Sequence, residues 1–113
     1  MHEFSIALNI VDIAIAEAHK AQSENISKIE IEIGTASGVV REALEFALLS
    51  AVKGTILENT SILIHEIQAI AECNACKHKF KSDGIMAICP ECGDITANLV
   101  SGRELKVKSI TLI

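Results

Sequence analysis

The sequence predicts an α+β protein in which two helices pack on a three-stranded sheet, with a small all-β lobe of the zinc-ribbon type inserted before the last strand. Three observations indicate this fold. Apolar residues recur at helical spacing in two segments, and they alternate with charged residues in three others. All four cysteines lie in two CxxC pairs between the second and third alternating segments. We therefore expect a core lobe of residues 1–70 and 101–113 and a cysteine lobe of residues 71–100.

The first predicted helix runs from Phe4 to about Ala21. The apolar residues that share one of its faces are Phe4, Leu8, Val11, Ile15 and Ala18, and the face is widened by Ile6, Ile10 and Ile13. Such a broad aliphatic face favours deep burial against the sheet, and a partner-docking surface is the alternative.

Three segments carry the alternation that is typical of half-buried strands: Ile26–Ile33, Ser61–Glu72 and Gly102–Ile113. The second helix is expected at residues 39–52, after a loop of small residues at 34–38, and it ends before Gly54. This loop has neither of the glycine motifs that bind phosphate, so it is interpreted as a simple strand-to-helix turn.

Composition argues against several classes of protein. The 113 residues carry a net charge of −5 and include no Trp or Tyr, which argues against a nucleic-acid-binding surface. The apolar N-terminal segment has no Lys or Arg before it and is interrupted by Asn9 and Asp12, so we expect neither a signal peptide nor a membrane span. The expected location is the cytoplasm.

The cysteines carry the clearest chemical signal. Twelve residues separate the pair Cys73 and Cys76 from the pair Cys89 and Cys92. Each CxxC turn brings two sulfurs together, and two turns supply the four thiolates of a tetrahedral structural zinc site. Iron in the same kind of site and two disulfides are the alternatives, and a reducing compartment favours the metal. The expected core of this lobe is small and comprises Phe80, Ile85, Met86 and Ile88.

No catalytic constellation can be assembled, because every cysteine is assigned to the metal and no Ser, His and Asp set has sequence support. We therefore expect a protein that is not an enzyme. Among the histidines, His19 and His65 are interpreted as a helix-end and a strand residue, while His78 is a candidate spare ligand. His2 differs from these because it adjoins a terminal amine, and the two together form a chelate.

Four stretches together resemble the HypA/HybF family of hydrogenase maturation proteins: the start Met1-His2-Glu3, residues 33–47, the CxxC pairs and residues 101–105. The resemblance covers nearly the whole chain, although Ala36 and Arg41 depart from the usual family pattern. It implies a nickel metallochaperone that delivers Ni(II) for insertion into NiFe-hydrogenase. The implied partners are the GTPase HypB and the hydrogenase large subunit, with a homodimer left open. The core lobe is then the nickel-binding lobe, and the four cysteines bind zinc.

The nickel site expected from this resemblance lies at Met1, His2 and Glu3. The Met1 amine, the His2 backbone nitrogen and a His2 imidazole nitrogen can close fused rings around a planar Ni(II) ion. The Glu3 amide, the Glu3 carboxylate or an outside ligand such as His78 fills the fourth position. Two alternative functions use the cysteines alone: a zinc-ribbon interaction or nucleic-acid-binding module, and a rubredoxin-like electron carrier.

Overall fold

The structure is a computed structural model, which describes residues 2–83 and 87–113. Its helices and strands are α1 (Glu3–Lys20), β1 (Ile26–Gly34), α2 (Arg41–Ala51), β2 (Ser61–Ile67), β3 (Ile70–Glu72), β4 (Lys79–Lys81), β5 (Asn98–Ser101) and β6 (Leu105–Leu112). They form two three-stranded sheets, with strand orders β2-β1-β6 and β4-β3-β5. The predicted class is confirmed: two helices, a three-stranded sheet and a small all-β lobe.

The chain divides into two compact units. Unit 1 comprises Met1–Glu32, Val39–His65 and Lys106–Ile113, and unit 2 comprises Ile33–Gly38 and Glu66–Leu105. Unit 2 therefore extends beyond the cysteine lobe predicted at residues 71–100. The reason is a set of backbone hydrogen bonds in unit 2, in which the N–H groups of Gly34 and Ala36 donate to the carbonyls of Glu104 and Gly102, each at 2.7 Å.

In unit 1, β2 runs parallel to the central strand β1. The Thr60 hydroxyl donates to the Ile26 carbonyl at 2.7 Å, and further along both strands His65 Nε2 lies 3.0 Å from Glu30 Oε1. Parallel neighbours need a crossover connection, which α2 provides as the helix of a βαβ unit. The other neighbour, β6, runs antiparallel to β1, since the Ile113 N–H donates to the Asn25 carbonyl at 3.2 Å.

Small residues determine which face of α1 is buried. The residues buried in α1 are Ala7, Ile10, Val11, Ala14 and Ala18. Phe4, Leu8 and Ile13 are exposed, with accessible fractions of 52, 42 and 48 %. The predicted deep burial of these three side chains is therefore wrong. The three alanines on the inward face allow the helix backbone to approach its neighbours closely, and the three exposed side chains are left at the flanks of the contact.

Helix α1 ends where Gln22 takes a left-handed conformation, with φ of 55°. The Gln22 N–H donates to the His19 carbonyl at 3.0 Å, and the Ser23 N–H donates to the Ala18 carbonyl at 2.9 Å. This is the Schellman pattern that closes the last turn of a helix.

Within the described residues no helix is both long and apolar enough to cross a membrane.

The predicted strand Ser61–Glu72 is two strands in two sheets. The break falls at Ala69, which is fully buried and lies outside both ladders. Its N–H donates to the Thr35 hydroxyl oxygen at 2.9 Å, and its carbonyl accepts the Ser82 N–H at 3.0 Å. These contacts turn the chain from β2 into β3, where Ala71 pairs with Phe80 of β4.

The predicted final strand Gly102–Ile113 begins three residues late, at Leu105, because Gly102 has a φ of 110° that no regular strand adopts.

In the second sheet β3 is central, and Ala71 lies opposite Leu99 of β5. Of the expected core of the cysteine lobe, Phe80 is half-buried and Ile88 is 52 % exposed. The expected core residues Ile85 and Met86 lie outside the described residues.

Candidate metal centre

The four predicted sulfurs converge in unit 2. All four Sγ atoms lie within 4.8 Å of one another, and the pairs Cys73–Cys92 and Cys76–Cys89 are each 3.5 Å apart. A tetrahedral zinc ion with Zn–S bonds of about 2.3 Å holds its sulfurs about 3.8 Å apart, so the cluster fits such an ion. Cys73 and Cys89 are buried, and Cys76 and Cys92 are exposed.

Two knuckles with the same hydrogen-bond pattern hold these sulfurs. In the first, the Cys73 N–H donates to the His78 carbonyl and the Lys77 N–H donates to the Cys73 carbonyl, both at 2.9 Å. In the second, Cys89 donates to Asp94 at 3.0 Å and Gly93 donates to Cys89 at 2.8 Å. The repeated pattern makes each CxxC pair a turn whose two sulfurs point to one side.

The electrostatic environment of the cluster gives the thiols of Cys73 and Cys92 different pKa values. The Cys76 N–H, 3.5 Å from the Cys73 sulfur, lowers the pKa of the Cys73 thiol to about 7. The Asp94 N–H also lowers the pKa of Cys92, but interactions with Cys73 and the other sulfurs outweigh it and raise that pKa to about 12. Four thiolates at this spacing repel one another, and a bound divalent cation removes that repulsion.

A polar cluster beside the knuckles was missed by sequence reasoning. The Asn74 side-chain amide donates to the Thr96 carbonyl, and the Asn98 amide donates to Asn74 Oδ1 at 3.1 Å. The Thr96 hydroxyl and N–H both donate to Asp94, and these bonds, the hydroxyl first, lower the pKa of the Asp94 carboxyl. The cluster connects the first knuckle to the chain after the second. The spacing Asp94-x-Thr96, typical of an Asx turn, was the signal available in the sequence.

The predicted nickel residues lie at the start of α1. His2 is exposed and forms the N-cap, and its carbonyl accepts the Ile6 N–H at 3.2 Å. Its side chain makes no capping hydrogen bond. Helix geometry leaves the first N–H groups of α1, including that of Glu3, without a helical partner. Met1, the third predicted residue, lies outside the described residues.

The Glu3 carboxylate is already engaged. Its Oε2 accepts the N–H of Val40, the N-cap of α2, at 3.2 Å. This hydrogen bond, followed by one from the Glu3 N–H itself, lowers the pKa of the Glu3 carboxyl. Glu3 therefore connects the beginnings of the two helices, a role that periodicity along the sequence does not reveal.

The remaining histidines have separate environments. His78 stacks on Phe80, with ring centroids 6.2 Å apart, and its Nε2 lies 4.0 Å from Glu91. His19 is exposed in the last turn of α1, as predicted. His65 lies half-buried in β2, also as predicted, and its partner Glu30 accepts a hydrogen bond from Ser109 of β6 at 2.6 Å. Glu30 is thus a half-buried acceptor between two neighbouring strands.

Comparison with protein families matches residues 1–112 to a family described as "Hydrogenase/urease nickel incorporation, metallochaperone, hypA". The chain is 41 % identical over 112 residues to the hydrogenase maturation factor HypA of Prosthecochloris aestuarii, covering 99 % of both chains. It is 38 % identical over 112 residues to that of Chlorobium phaeobacteroides, again covering 99 % of both.

Solved structures show the same fold. The solution structure of the Ni metallochaperone HypA from Helicobacter pylori superposes with a TM-score of 0.69 at 21 % identity, covering 100 % of this chain and 98 % of that one. A second solution structure of a HypA protein gives a TM-score of 0.73 at the same identity, covering 100 % and 97 %.

Proposed function

This chain belongs to the HypA family of hydrogenase and urease nickel-incorporation metallochaperones, and from this membership we propose that it binds Ni(II) at its N-terminus and delivers the ion for maturation of NiFe-hydrogenase. The proposed ligands are the Met1 amine, the backbone nitrogen and imidazole of His2, and a fourth donor contributed by Glu3. The observation that carries this proposal is the exposed position of His2 as the N-cap of α1.

The start of α1 supports the amide ligands. A backbone nitrogen can bind Ni(II) only after losing its proton, and an N–H that bonds to a helical carbonyl would have to break that bond first. The N–H groups of His2 and Glu3 precede the hydrogen-bond ladder of the helix and have no helical bond to break, although that of Glu3 bonds to its own carboxylate. The positive end of the helix favours the negative charge of a deprotonated amide.

The hydrogen bonds of Glu3 favour one choice of fourth ligand. Its carboxylate is held by the Val40 N–H, so binding through that group would leave a hydrogen-bond donor of α2 without its partner. Binding through the Glu3 backbone nitrogen gives up the local bond between that N–H and its own carboxylate but leaves the Val40 bond in place. We therefore favour the Glu3 amide over its carboxylate, with an incoming partner ligand replacing it when nickel is transferred.

The four-cysteine cluster has a structural role in this proposal. Zinc would be held by Cys73, Cys76, Cys89 and Cys92, and when bound it would cross-link the two knuckles without taking part in a reaction. Nickel is the cargo and zinc is the resident ion. The chain then acts as a carrier of metal and not as a catalyst.

The proposed partners are the GTPase HypB and the hydrogenase large subunit. Delivery requires them to approach the nickel site closely, and α1 presents Phe4 and Leu8 to solvent within two turns of His2. Exposed apolar side chains near a functional site are typical of docking surfaces. We place the partner contact on this side of α1.

The nickel site is tested by calorimetry on the zinc-loaded full chain. We expect His2→Ala to abolish stoichiometric nickel binding, and one residue added before Met1 to do nearly the same by displacing the amine. His19→Ala is the matched control, because it removes an exposed histidine from the other end of α1. Unchanged nickel affinity in both test variants, with zinc content intact, would disprove the proposed site.

A further inference from the structure

The two knuckles of the cysteine cluster, residues 73–78 and 89–94, are attached to the second sheet in different ways. The first knuckle directly follows β3, the central strand, which pairs with β4 on one side and β5 on the other. The second knuckle lies between β4 and β5 along the chain and belongs to neither strand. The sheet therefore fixes the place of the first knuckle, whereas contacts outside the strands fix that of the second.

One such contact comes from Asn74, the residue that follows Cys73. Its side-chain Nδ2 donates to the Thr96 carbonyl, and its Oδ1 accepts the Asn98 side-chain amide at 3.1 Å. The Asn74 amide thus uses its donor and its acceptor at the same time. Because Asn98 is the first residue of β5 and pairs with Glu72 of β3, the contact is made at a fixed point of the sheet.

The contact continues from Thr96 to the second knuckle. The Thr96 N–H donates to Asp94 Oδ1 at 2.7 Å, and the Thr96 hydroxyl donates to the same oxygen. The Asp94 carbonyl in turn accepts the Cys89 N–H at 3.0 Å, which is the bond that closes the second knuckle. Hydrogen bonds therefore connect Asn74 in the first knuckle to Cys89 in the second without passing through a sulfur atom.

We propose that Asn74 is a positioning residue for the four-sulfur site, which holds the second knuckle at the distance from the first that one tetrahedral ion requires. The inference rests on the proposed zinc role of the four cysteines. Asn74 does not bind the ion itself, but orients the turns that carry the sulfurs, as outer partners of metal ligands do. Zinc then enters a site whose two halves are already aligned, so less conformational freedom is lost when it binds.

An asparagine is the side chain that this role needs. It offers one carbonyl oxygen and one NH₂ group, so it can accept from Asn98 and donate to a backbone carbonyl. An aspartate of the same shape could accept but not donate, and it would add a negative charge beside four thiolates. The equivalent position of the second knuckle is Pro90, which has no side-chain donor. The connection is therefore made from the first knuckle.

The test compares the zinc affinities of full-length variants by competition with a chelator. We expect Asn74→Ala and Asn74→Asp each to lower the affinity by about 10- to 100-fold, as is typical when an outer partner of a metal ligand is lost. Asn98→Ala is expected to have a smaller effect, because Asn74 keeps its bond to the Thr96 carbonyl. Asn74 and Thr96 are exposed, so water replaces the lost bond and the variants are expected to fold.

A spectrum separates positioning from a general loss of stability. Co(II) bound by four thiolates gives d–d absorption bands whose energies report the arrangement of the sulfurs, and we expect these bands to shift in Asn74→Ala at saturating Co(II). Lys79→Ala is the matched control, since it shortens an exposed side chain of β4 in the same sheet. We expect it to change neither the zinc affinity nor the bands.

The inference is overturned, with the zinc site intact, if both Asn74 variants keep the zinc affinity of wild type. It is also overturned if Asn74→Ala loses affinity while its Co(II) bands stay in place, because that result would mark a purely structural role. A wild-type chain that binds neither zinc nor Co(II) through its cysteines would overturn the proposed zinc site and this inference with it.

Discussion

Lys77 and Gly93 occupy equivalent positions in the two knuckles of the cysteine cluster. Each follows the second cysteine of its pair, each donates its N–H to the carbonyl of the first cysteine, and their φ angles are 66° and 75°. Glycine adopts this left-handed conformation without cost, whereas lysine is strained there. The first knuckle therefore performs the same turn as the second with a less suitable residue.

Lys77→Gly is accordingly expected to stabilise unit 2. Relief of the left-handed strain is worth about 1–2 kcal/mol, and the added freedom of glycine in the unfolded chain offsets about 0.4–1 kcal/mol of it. Gly93→Ala is the reverse test and is expected to destabilise, although an added Cβ would meet no atom within 4 Å. Thermal unfolding of the zinc-loaded variants measures both changes. A less stable Lys77→Gly variant would show that the lysine side chain makes a compensating contact.

Gly34→Ala is expected to destabilise unit 2 by about 3 kcal/mol, since overpacking that forces a backbone shift is costly. A Cβ at Gly34 would overlap the backbone carbonyl of Gly102, which cannot move aside as a flexible side chain could. Gly54→Ala is the control, because open space surrounds that position and only its φ of 75° opposes the change. Urea unfolding compares the two. Equal losses of free energy would mean that the contact between Gly34 and Gly102 is not tight.

Removing one sulfur is expected to remove the zinc. Cys76→Ser leaves three thiolates, and because the described part of this lobe has few buried apolar residues beyond Ala69, Ala71 and two cysteines, the order of β3, β4 and β5 is expected to be lost. Unit 1 is expected to keep its NMR spectrum. His78→Ala is the control, since it changes a residue beside the cluster while leaving all four sulfurs. Full zinc content and an ordered lobe in Cys76→Ser would contradict the four-cysteine site.

Acid is expected to weaken unit 1 through Glu30. Hydrogen bonds from Ser109 and then His65 lower the pKa of its carboxyl from 4.5. A lowered pKa means that the stabilisation is present above pH 4.5 and disappears as the pH falls through the folded value. The stability difference between wild type and Glu30→Gln is therefore expected to be constant near neutral pH and to shrink below pH 4.5.

The stability of wild type and Glu30→Gln is measured by urea unfolding followed at unit 1 amides, so that acid-induced changes at the cysteine cluster of unit 2 do not contribute. Glu24→Gln, an exposed loop position, is the control. A difference between wild type and Glu30→Gln that persisted unchanged in acid would rule out the carboxylate as its source.

Partner docking is tested with two exposed apolar residues. Phe4→Ser on α1 is expected to weaken binding of the proposed partner HypB, measured by calorimetry without nickel so that the metal does not contribute. Ile95→Ser is the matched control, because Ile95 is 75 % exposed in the cysteine lobe. Loss of binding in Ile95→Ser alone would move the proposed contact from α1 to that lobe.

Sequence patterns predicted the features that depend on neighbouring residues. The bounds of α1 and β1 differ by one residue from those expected, since helical spacing and strand alternation are local properties. The convergence of the four sulfurs followed from CxxC spacing, because a tight turn leaves two sulfurs little choice of direction. Family membership also followed from short stretches in a fixed order.

The tertiary structure alone decided how distant segments meet. The alternation of apolar and polar residues from Ser61 to Glu72 fits one long strand as well as two short ones. Only the burial of Ala69 and its hydrogen bonds to Thr35 and Ser82 divide this segment between two sheets. Likewise, Glu30 becomes a half-buried acceptor because the strand order places His65 on one side and Ser109 on the other. Contacts of this kind depend on which segments pack together, and spacing along one segment carries no record of its partners.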